Sequence, residues 1–151
     1  MKLHYKVNGT QVELEANPNE MLLDVLRDRL DLRSVRATCG IGICGACTAL
    51  VNGEPISTCI LLAPLADGCE ITTVEGLGGN HPVQRAFEEE HAFQCGYCTP
   101  GMILTIKALL EENLHPTEEE IKTTLGGNLC RCGCYLKIIN AAKRGAERKE
   151  P

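Results

Sequence analysis

The sequence has almost no aromatic residues: tryptophan is absent, and the 151 residues include only two phenylalanines and three tyrosines. Large aromatic anchors can therefore contribute little to a core. A chain of this length forms one compact domain or two small ones, and a small domain buries little apolar surface on its own. We therefore expect additional cross-links to hold the fold together.

A strongly basic region is also missing. The formal net charge is −5, and the largest group of cations is a short tail that contains Lys143, Arg144, Arg148 and Lys149. Binding to a phosphate backbone needs a basic surface, so nucleic acid is not an expected partner. The short tail is interpreted as the solvated end of a helix.

Long apolar segments are absent as well. No run approaches the roughly 20 apolar residues of a membrane span. The amino terminus, MKLHYKVNGT, lacks the apolar core of a signal peptide. The sequence therefore predicts a cytoplasmic protein without a membrane span.

Cysteine, in contrast, is abundant, with ten residues in the chain. In a reducing cytoplasm, structural disulfides are not expected, so metal binding or redox chemistry explains this number better. The spacing of the cysteines has to decide between these possibilities.

The first half of the sequence predicts a small mixed sheet with one helix packed across it. Apolar and polar positions alternate on both sides of Asn8-Gly9 and again around Asn52-Gly53, which is typical of hairpins. The run EMLLDVLRDRL has the apolar spacing of a helix. The predicted elements are a hairpin over residues 2–15, a helix over residues 20–30, a hairpin formed by Thr48–Val51 and Ile56–Leu62, and a last strand over Glu70–Val74.

The second half predicts four short helices that form a bundle, after a glycine-rich linker at residues 76–79. Thr99-Pro100 is typical of a helix start with Thr99 as N-cap, and Thr117 with Glu120 forms a capping-box pattern. The four helices are predicted over residues 83–91, 101–112, 117–125 and 135–144.

Four cysteines of the first half, which we call the first thiol set, have the spacing C-x4-C-x2-C-x11-C. They are Cys39, Cys44, Cys47 and Cys59. The first three match the plant-type pattern for a [2Fe-2S] cluster, in which the chain wraps around two irons and two sulfides. Positive φ angles at three intervening glycines would let backbone N–H groups point at the sulfurs. These glycines are Gly40, Gly42 and Gly45.

A structural zinc site is the alternative for the first thiol set, because C-x2-C pairs are common in zinc sites. Zinc knuckles usually present two such pairs, whereas here a four-residue gap and the glycines precede a single pair. The spacing therefore favours the iron-sulfur cluster over zinc.

The cysteines Cys95, Cys98, Cys130 and Cys132, which we call the second thiol set, have the spacing C-x2-C-x31-C-x-C. A zinc site, a redox pair and an iron-sulfur cluster all fit this spacing, which favours a metal over a disulfide. Helix N-termini beside these thiols are expected to lower their pKa.

Three segments together resemble the small iron-sulfur subunit of the molybdenum hydroxylases, the xanthine oxidase and carbon monoxide dehydrogenase family. They are CGIGICGACTALVNG, FQCGYCTPGMIL and GGNLCRC, and the resemblance covers essentially the whole chain. It implies an α+β fold: a β-grasp, plant-type ferredoxin-like domain over residues 1–76 and a four-helix bundle domain over residues 77–151. Each domain would hold one [2Fe-2S] cluster, on the first and the second thiol set respectively.

The same resemblance implies an electron-transfer subunit without a substrate pocket of its own. Substrate hydroxylation would occur at molybdopterin on a separate large subunit, with Gln94 and Cys132 facing the pterin. Electrons would pass one at a time through both clusters toward FAD on a medium subunit, or toward another acceptor, in a hetero-oligomer such as a dimer of heterotrimers. The alternatives are a free-standing ferredoxin-like carrier and a zinc-stabilised interaction module.

Two cysteines stand outside both thiol sets. The family pattern CRCTGY is replaced here by CRCGCY, which adds Cys134. Cys134 is interpreted either as a buried apolar residue or as a thiol that contacts the cluster or competes for its iron. Cys69, before the last predicted strand, is interpreted as a core thiol.

Overall fold

The computed structural model describes residues 1–148, so Lys149 of the predicted basic tail lies outside the described residues. The first half forms one mixed sheet of five strands, in the order β2-β1-β5-β3-β4. The strands are β1 (Lys2–Val7), β2 (Thr10–Glu15), β3 (Thr48–Val51), β4 (Glu54–Ser57) and β5 (Glu70–Thr72).

Both predicted hairpin turns are confirmed. At the first turn the φ angles are 49° at Asn8 and 82° at Gly9, and at the second they are 51° at Asn52 and 90° at Gly53. Positive φ at both central positions matches the twist of the flanking strands, and asparagine and glycine tolerate it best. As a result, β1 pairs antiparallel with β2 and β3 pairs antiparallel with β4, while β5 lies parallel to β1.

The second hairpin is shorter than predicted. Its strand β4 ends at Ser57, and Thr58–Ile60 forms a 3-10 turn, so the prediction that Cys59 lies on a strand is wrong. The Thr58 hydroxyl donates a hydrogen bond of 2.8 Å to the carbonyl of Cys47, which turns the chain inward at this point. Cys47 and Cys59 are therefore both buried.

The helix predicted over residues 20–30 is present in part. A single α-helical turn, α1 (Leu22–Asp24), continues into a π-helical segment over Val25–Arg29, which predictions from apolar spacing do not anticipate. This segment packs on the sheet and completes the first core. Fully buried members of that core are Leu3, Tyr5, Leu22, Val25, Leu26 and Ile71.

The second half contains the four predicted helices: α2 (Pro82–Glu89), α3 (Thr99–Glu112), α4 (Glu118–Thr124) and α5 (Tyr135–Glu147). The capping box of Thr117 and Glu120 is confirmed. Thr99 is not the N-cap of α3; Cys98 occupies that position, and the buried Thr99 hydroxyl has no hydrogen-bond partner. The helices enclose a second core that includes Val83, Phe87, Met102, Ile106, Leu110 and Ile138.

The basic tail up to Arg148 is the exposed end of α5, as predicted. Arg144 forms an ion pair of 2.5 Å with Glu90, and Lys143 forms one of 2.7 Å with Glu118. Arg148 pairs with Glu89. None of the helices within residues 1–148 combines the length and apolar character of a membrane-spanning segment.

The two halves also pack against each other. Leu50 of β3, together with Leu104 and Ala108 of α3, forms a small apolar cluster, against which Leu77 of the connecting segment packs. The predicted boundary between residues 76 and 77 falls inside a 3-10 turn over Val74–Leu77, and its placement stays a prediction.

Candidate functional site

The loop that carries the first thiol set has the backbone conformation predicted for it. The φ angles of Gly40, Gly42 and Gly45 are 69°, 75° and 67°. These angles curl the loop so that the backbone N–H of Cys44 lies 3.5 Å from the sulfur of Cys39. The backbone of Gly42 also hydrogen-bonds the sulfur of Cys59.

The four thiols of the first set are arranged as two pairs. Cys39 and Cys44 are neighbouring thiols that interact with each other, and so are Cys47 and Cys59. Cys39 also has an electrostatic effect on Cys59, so the two pairs face a common space. The 3-10 turn over Thr58–Ile60 completes the set by bringing Cys59 under the loop.

The second thiol set is paired in the same manner, with partners from distant segments. Cys95 interacts with the neighbouring thiol of Cys132, and Cys98 with that of Cys130. Each pair thus takes one thiol from the C-x2-C segment before α3 and one from the C-x-C segment before α5. The second core holds both segments, because Cys98 and Cys130 pack against it.

Hydrogen bonds and burial shift the pKa values of two thiols of the first set in opposite directions. Backbone N–H groups of Ile41, Cys44 and Ile43 lower the pKa of Cys39 to about 6, because they stabilise its thiolate. Burial, followed by contact with Cys47, raises the pKa of Cys59 to about 11. Cys39 therefore carries a thiolate readily, while Cys59 needs a positive partner to become ionised.

The second set shows the same contrast. The backbone N–H of Tyr97 lowers the pKa of Cys95. Burial raises the pKa of Cys98 to about 12, although this residue caps α3, so the expected lowering by a helix N-terminus is wrong here. At Cys130, burial acts against ionisation, but hydrogen bonds from the Cys134 backbone and the Cys98 thiol outweigh it and lower the pKa.

This paired arrangement fits a cluster of two irons better than a single metal ion. Two irons bridged by two sulfides take two thiolates at each end. A tetrahedral zinc site would instead place four donors around one point.

A cavity of about 410 Å³ lies between the two thiol sets. Its lining includes Cys44 of the first set and Cys95, Cys98 and Cys130 of the second. Tyr97 closes one side, because its hydroxyl donates a hydrogen bond of 3.1 Å to the carbonyl of Ala37. The two sets therefore open toward the same region of the molecule.

The predicted pterin-facing residues lie together at the surface. Gln94 and Cys132 line a shallow pocket of about 320 Å³, which also contains Cys134, Leu136 and Lys137. The side chain of Leu136 is 78% exposed. The structure thus brings Gln94 to the outer side of the second thiol set.

The two additional cysteines have different surroundings. Cys134 is half-buried, packs against the second core and contacts Cys130, which agrees with the interpretation as a thiol beside the second set. Cys69 packs against the first core, and its sulfur accepts a hydrogen bond of 3.3 Å from the Asn52 amide.

Two family models match consecutive parts of the chain. The "2Fe-2S iron-sulfur cluster binding domain" matches residues 5–73, and the "[2Fe-2S] binding domain" matches residues 73–143. Together they span both thiol sets and the cavity between them.

Similar proteins cover nearly the full chain. The nicotinate dehydrogenase small FeS subunit of Eubacterium barkeri is 48% identical over 149 residues, which are 97% of this chain and 95% of the relative. The aldehyde oxidoreductase iron-sulfur-binding subunit of Escherichia coli is 42% identical, over 97% of this chain and 72% of the relative.

Two crystal structures show the same fold. Quinoline 2-oxidoreductase from Pseudomonas putida superposes with a TM-score of 0.93 and 38% identity, over 100% of this chain and 98% of that one. The aldehyde oxidoreductase from Desulfovibrio desulfuricans has the same score and identity over 97% of this chain, which spans only 17% of the longer protein. The chain therefore belongs to the small iron-sulfur subunits of the molybdenum hydroxylases, and it is an electron-transfer subunit with two [2Fe-2S] domains.

Proposed function

We propose that this subunit relays single electrons from a molybdopterin site on a large partner subunit, through two [2Fe-2S] clusters, toward FAD on a medium subunit or another acceptor. The first thiol set would hold one cluster and the second thiol set the other. When bound, such clusters each accept and release one electron at a time. The proposal depends mainly on the arrangement of the eight thiols as four neighbouring pairs.

The protein's own contribution is to orient the thiols and to set their surroundings. Backbone N–H groups directed at Cys39 and Cys130 stabilise negative charge on sulfur, and such hydrogen bonds raise the reduction potential of a cluster. Burial of Cys47 and Cys59 excludes water from one side of the first set. These features support a redox role and give the zinc-stabilised module no specific support.

The assignment of the eight cysteines as iron ligands is tested by iron analysis and spectroscopy of the full chain, expressed in iron-supplemented medium. Two irons in each of two clusters give four irons per chain. We expect visible absorption that bleaches with dithionite and two electron paramagnetic resonance signals that differ in line shape. A colourless protein that contains zinc and gives no signal would contradict the proposal.

Exposed apolar residues beside both thiol sets support a hetero-oligomer. Ile41, Ile43 and Ile60 surround the first loop and are 66%, 57% and 59% exposed. On the other side, Leu129 and Leu136 are exposed next to the second set. Apolar side chains concentrated in this way mark surfaces that a partner covers.

Gln94, Cys132 and Leu136 are proposed to face the pterin-binding subunit, because they share one surface pocket. The test is co-purification of partner chains with a tagged Leu136→Glu variant in the native host. We expect the large subunit to be lost, since a charge at this position would be buried in the interface. Leu65→Glu is the matched control, because Leu65 is similarly exposed (71%) but lies in the other domain, on the turn over Ala63–Ala66.

The same purification separates the subunit from a free-standing carrier. A wild-type chain that elutes alone on size exclusion of native extract, with its full iron content, would favour the free ferredoxin-like carrier. Co-elution with a large chain and a flavin-containing chain supports the relay.

A further inference from the structure

Asn128 is a buried polar residue that joins the two halves of the molecule. Its side chain is only 4% exposed. The Asn128 amide nitrogen donates a hydrogen bond of 3.2 Å to the carbonyl of Gly45, which is 83 positions away in the sequence. Its amide oxygen accepts a hydrogen bond of 3.0 Å from the hydroxyl of Thr105 on α3. The amide is thus held in one orientation by partners from both halves.

The residues around Asn128 and Gly45 belong to the two thiol sets. Gly45 directly follows Cys44, and Asn128 is two residues before Cys130. Between them, the backbone N–H of Leu129 donates a hydrogen bond of 2.9 Å to the carbonyl of Cys44. One short segment of the second set is therefore attached at two adjacent points to the loop of the first set.

Two glycines at this junction are in close contact with the facing segments. A Cβ atom added to Gly45 would collide with the carbonyl oxygen of Gly127 and lie 2.5 Å from the Asn128 amide nitrogen. A Cβ atom added to Gly101 would collide with the carbonyl oxygen of Gly45. Close-packed atoms of this kind cannot shift without a loss of contacts, so backbone contacts and the Asn128 side chain together hold the spacing of the two segments.

We propose that Asn128 is a positioning residue that fixes the separation and relative orientation of the two clusters. The inference depends on the proposed ligand assignment, since it concerns the distance between the two thiol sets. Functional groups have to be held to within about 0.5 Å by supporting residues that are themselves locked by packing and hydrogen bonds. Electron tunnelling and magnetic coupling between two centres both weaken steeply with distance, so this spacing bears directly on electron transfer.

The test uses the full, iron-loaded chain with Asn128→Ala and, as a milder change, Thr105→Val. The valine variant keeps the shape of the side chain and removes only the hydroxyl that orients the amide. When both clusters are reduced, their unpaired electrons interact and split the resonance signals. We expect Asn128→Ala to lose the resolved splitting and Thr105→Val to broaden it, while each separate signal keeps its g values.

Asn8→Ala serves as the matched control. The Asn8 amide also makes one donated and one accepted hydrogen bond, both of 2.9 Å and both to Thr73, and it touches neither thiol set. We expect this variant to lose stability and keep the splitting.

The possible outcomes separate the two proposals. If the wild-type chain lacks four irons and two signals, the ligand assignment fails and this inference fails with it. If both signals are present and Asn128→Ala shows the same splitting as Asn8→Ala, the inference alone is wrong. If Asn128→Ala does not retain iron, Thr105→Val decides, and an unchanged splitting in that variant contradicts the inference.

Discussion

The backbone N–H of Cys134 lies 3.4 Å from the sulfur of Cys130, at the point where α5 begins. Cys134 therefore interacts with the second thiol set through its main chain as well as its thiol, and any residue at this position would supply the main-chain hydrogen bond. Its carbonyl also accepts the hydrogen bond of 3.0 Å from Ile138 that starts the helix.

Replacing Cys134 is therefore expected to leave the iron content unchanged. Cys134→Ala should retain all four irons per chain, two for each of two clusters, because the N–H···S hydrogen bond remains. Cys132→Ala, the neighbouring control, should retain only two. A colorimetric iron assay that finds four irons in Cys132→Ala and two in Cys134→Ala would show that the ligand has been assigned to the wrong cysteine.

Cys39→Ser and Cys95→Ser are expected to affect different resonance signals. The two residues belong to separate thiol sets that are supported by separate cores. Each variant should lose one signal after dithionite reduction and keep the other at full intensity. A folded protein in which either change removes both signals would argue against two independent sites.

Gly45 and Gly40 have nearly the same φ angle, 67° and 69°, but different surroundings. Alanine at Gly40 meets no atom within 4 Å, so Gly40→Ala should cost only the strain of a left-handed residue, about 1–2 kcal/mol. Gly45→Ala also collides with the Gly127 backbone and should cost at least about 3 kcal/mol in total. Thermal unfolding followed by circular dichroism measures both, and equal midpoints would contradict the close packing described here.

The raised pKa of Tyr5 predicts that the folded protein loses stability at alkaline pH. Burial, with the nearby Asp67 and Glu20, raises the pKa of Tyr5 to about 12, and its hydroxyl donates a hydrogen bond of 2.9 Å to the carbonyl of Ala63. The folded state holds the Tyr5 proton more tightly than the unfolded state does, so the full contribution of Tyr5 to the free energy of unfolding is present below pH 10. This contribution decreases by about 2–3 kcal/mol as the pH rises from 10 to 12.

Comparison with Tyr5→Phe isolates this effect from other groups that titrate in the same range. The variant should be less stable by about 1 kcal/mol at neutral pH, because it lacks the hydrogen bond to Ala63. The difference in unfolding free energy between the two proteins should shrink, and then reverse, between pH 10 and 12. A constant difference over this range would show that Tyr5 does not titrate as described.

Local signals in the sequence were sufficient for most elements of the fold. Asn-Gly pairs specify a hairpin through φ angles that few other residues tolerate, and the Thr117 capping box marks the start of α4 through its own hydrogen bonds. Each of these signals depends on residues at most a few positions apart. The thiol spacing was informative for the same reason, because Cys39, Cys44 and Cys47 lie within one loop.

Features that depend on distant partners could not be predicted in this way. Cys59 appeared to lie on a strand, and only the hydrogen bond from Thr58 to Cys47 shows that the chain turns there. Thr99 matched an N-cap pattern, yet the helix begins one residue earlier because Cys98 is held by the second core. Asn128 belongs to the segment GGNLCRC, but its role between the two halves could not be predicted, since its partner Gly45 lies in the other half of the chain.

The separation of Gly45 and Asn128 in the sequence also has a consequence for biogenesis. During synthesis on the ribosome, the loop around Gly45 emerges long before Asn128, the residue that later caps its carbonyl. The amino-terminal half can form its hairpins early, but its cysteine loop reaches its final shape only after most of the polypeptide has been translated. We therefore expect iron and sulfide to enter this loop after translation, when both halves have met.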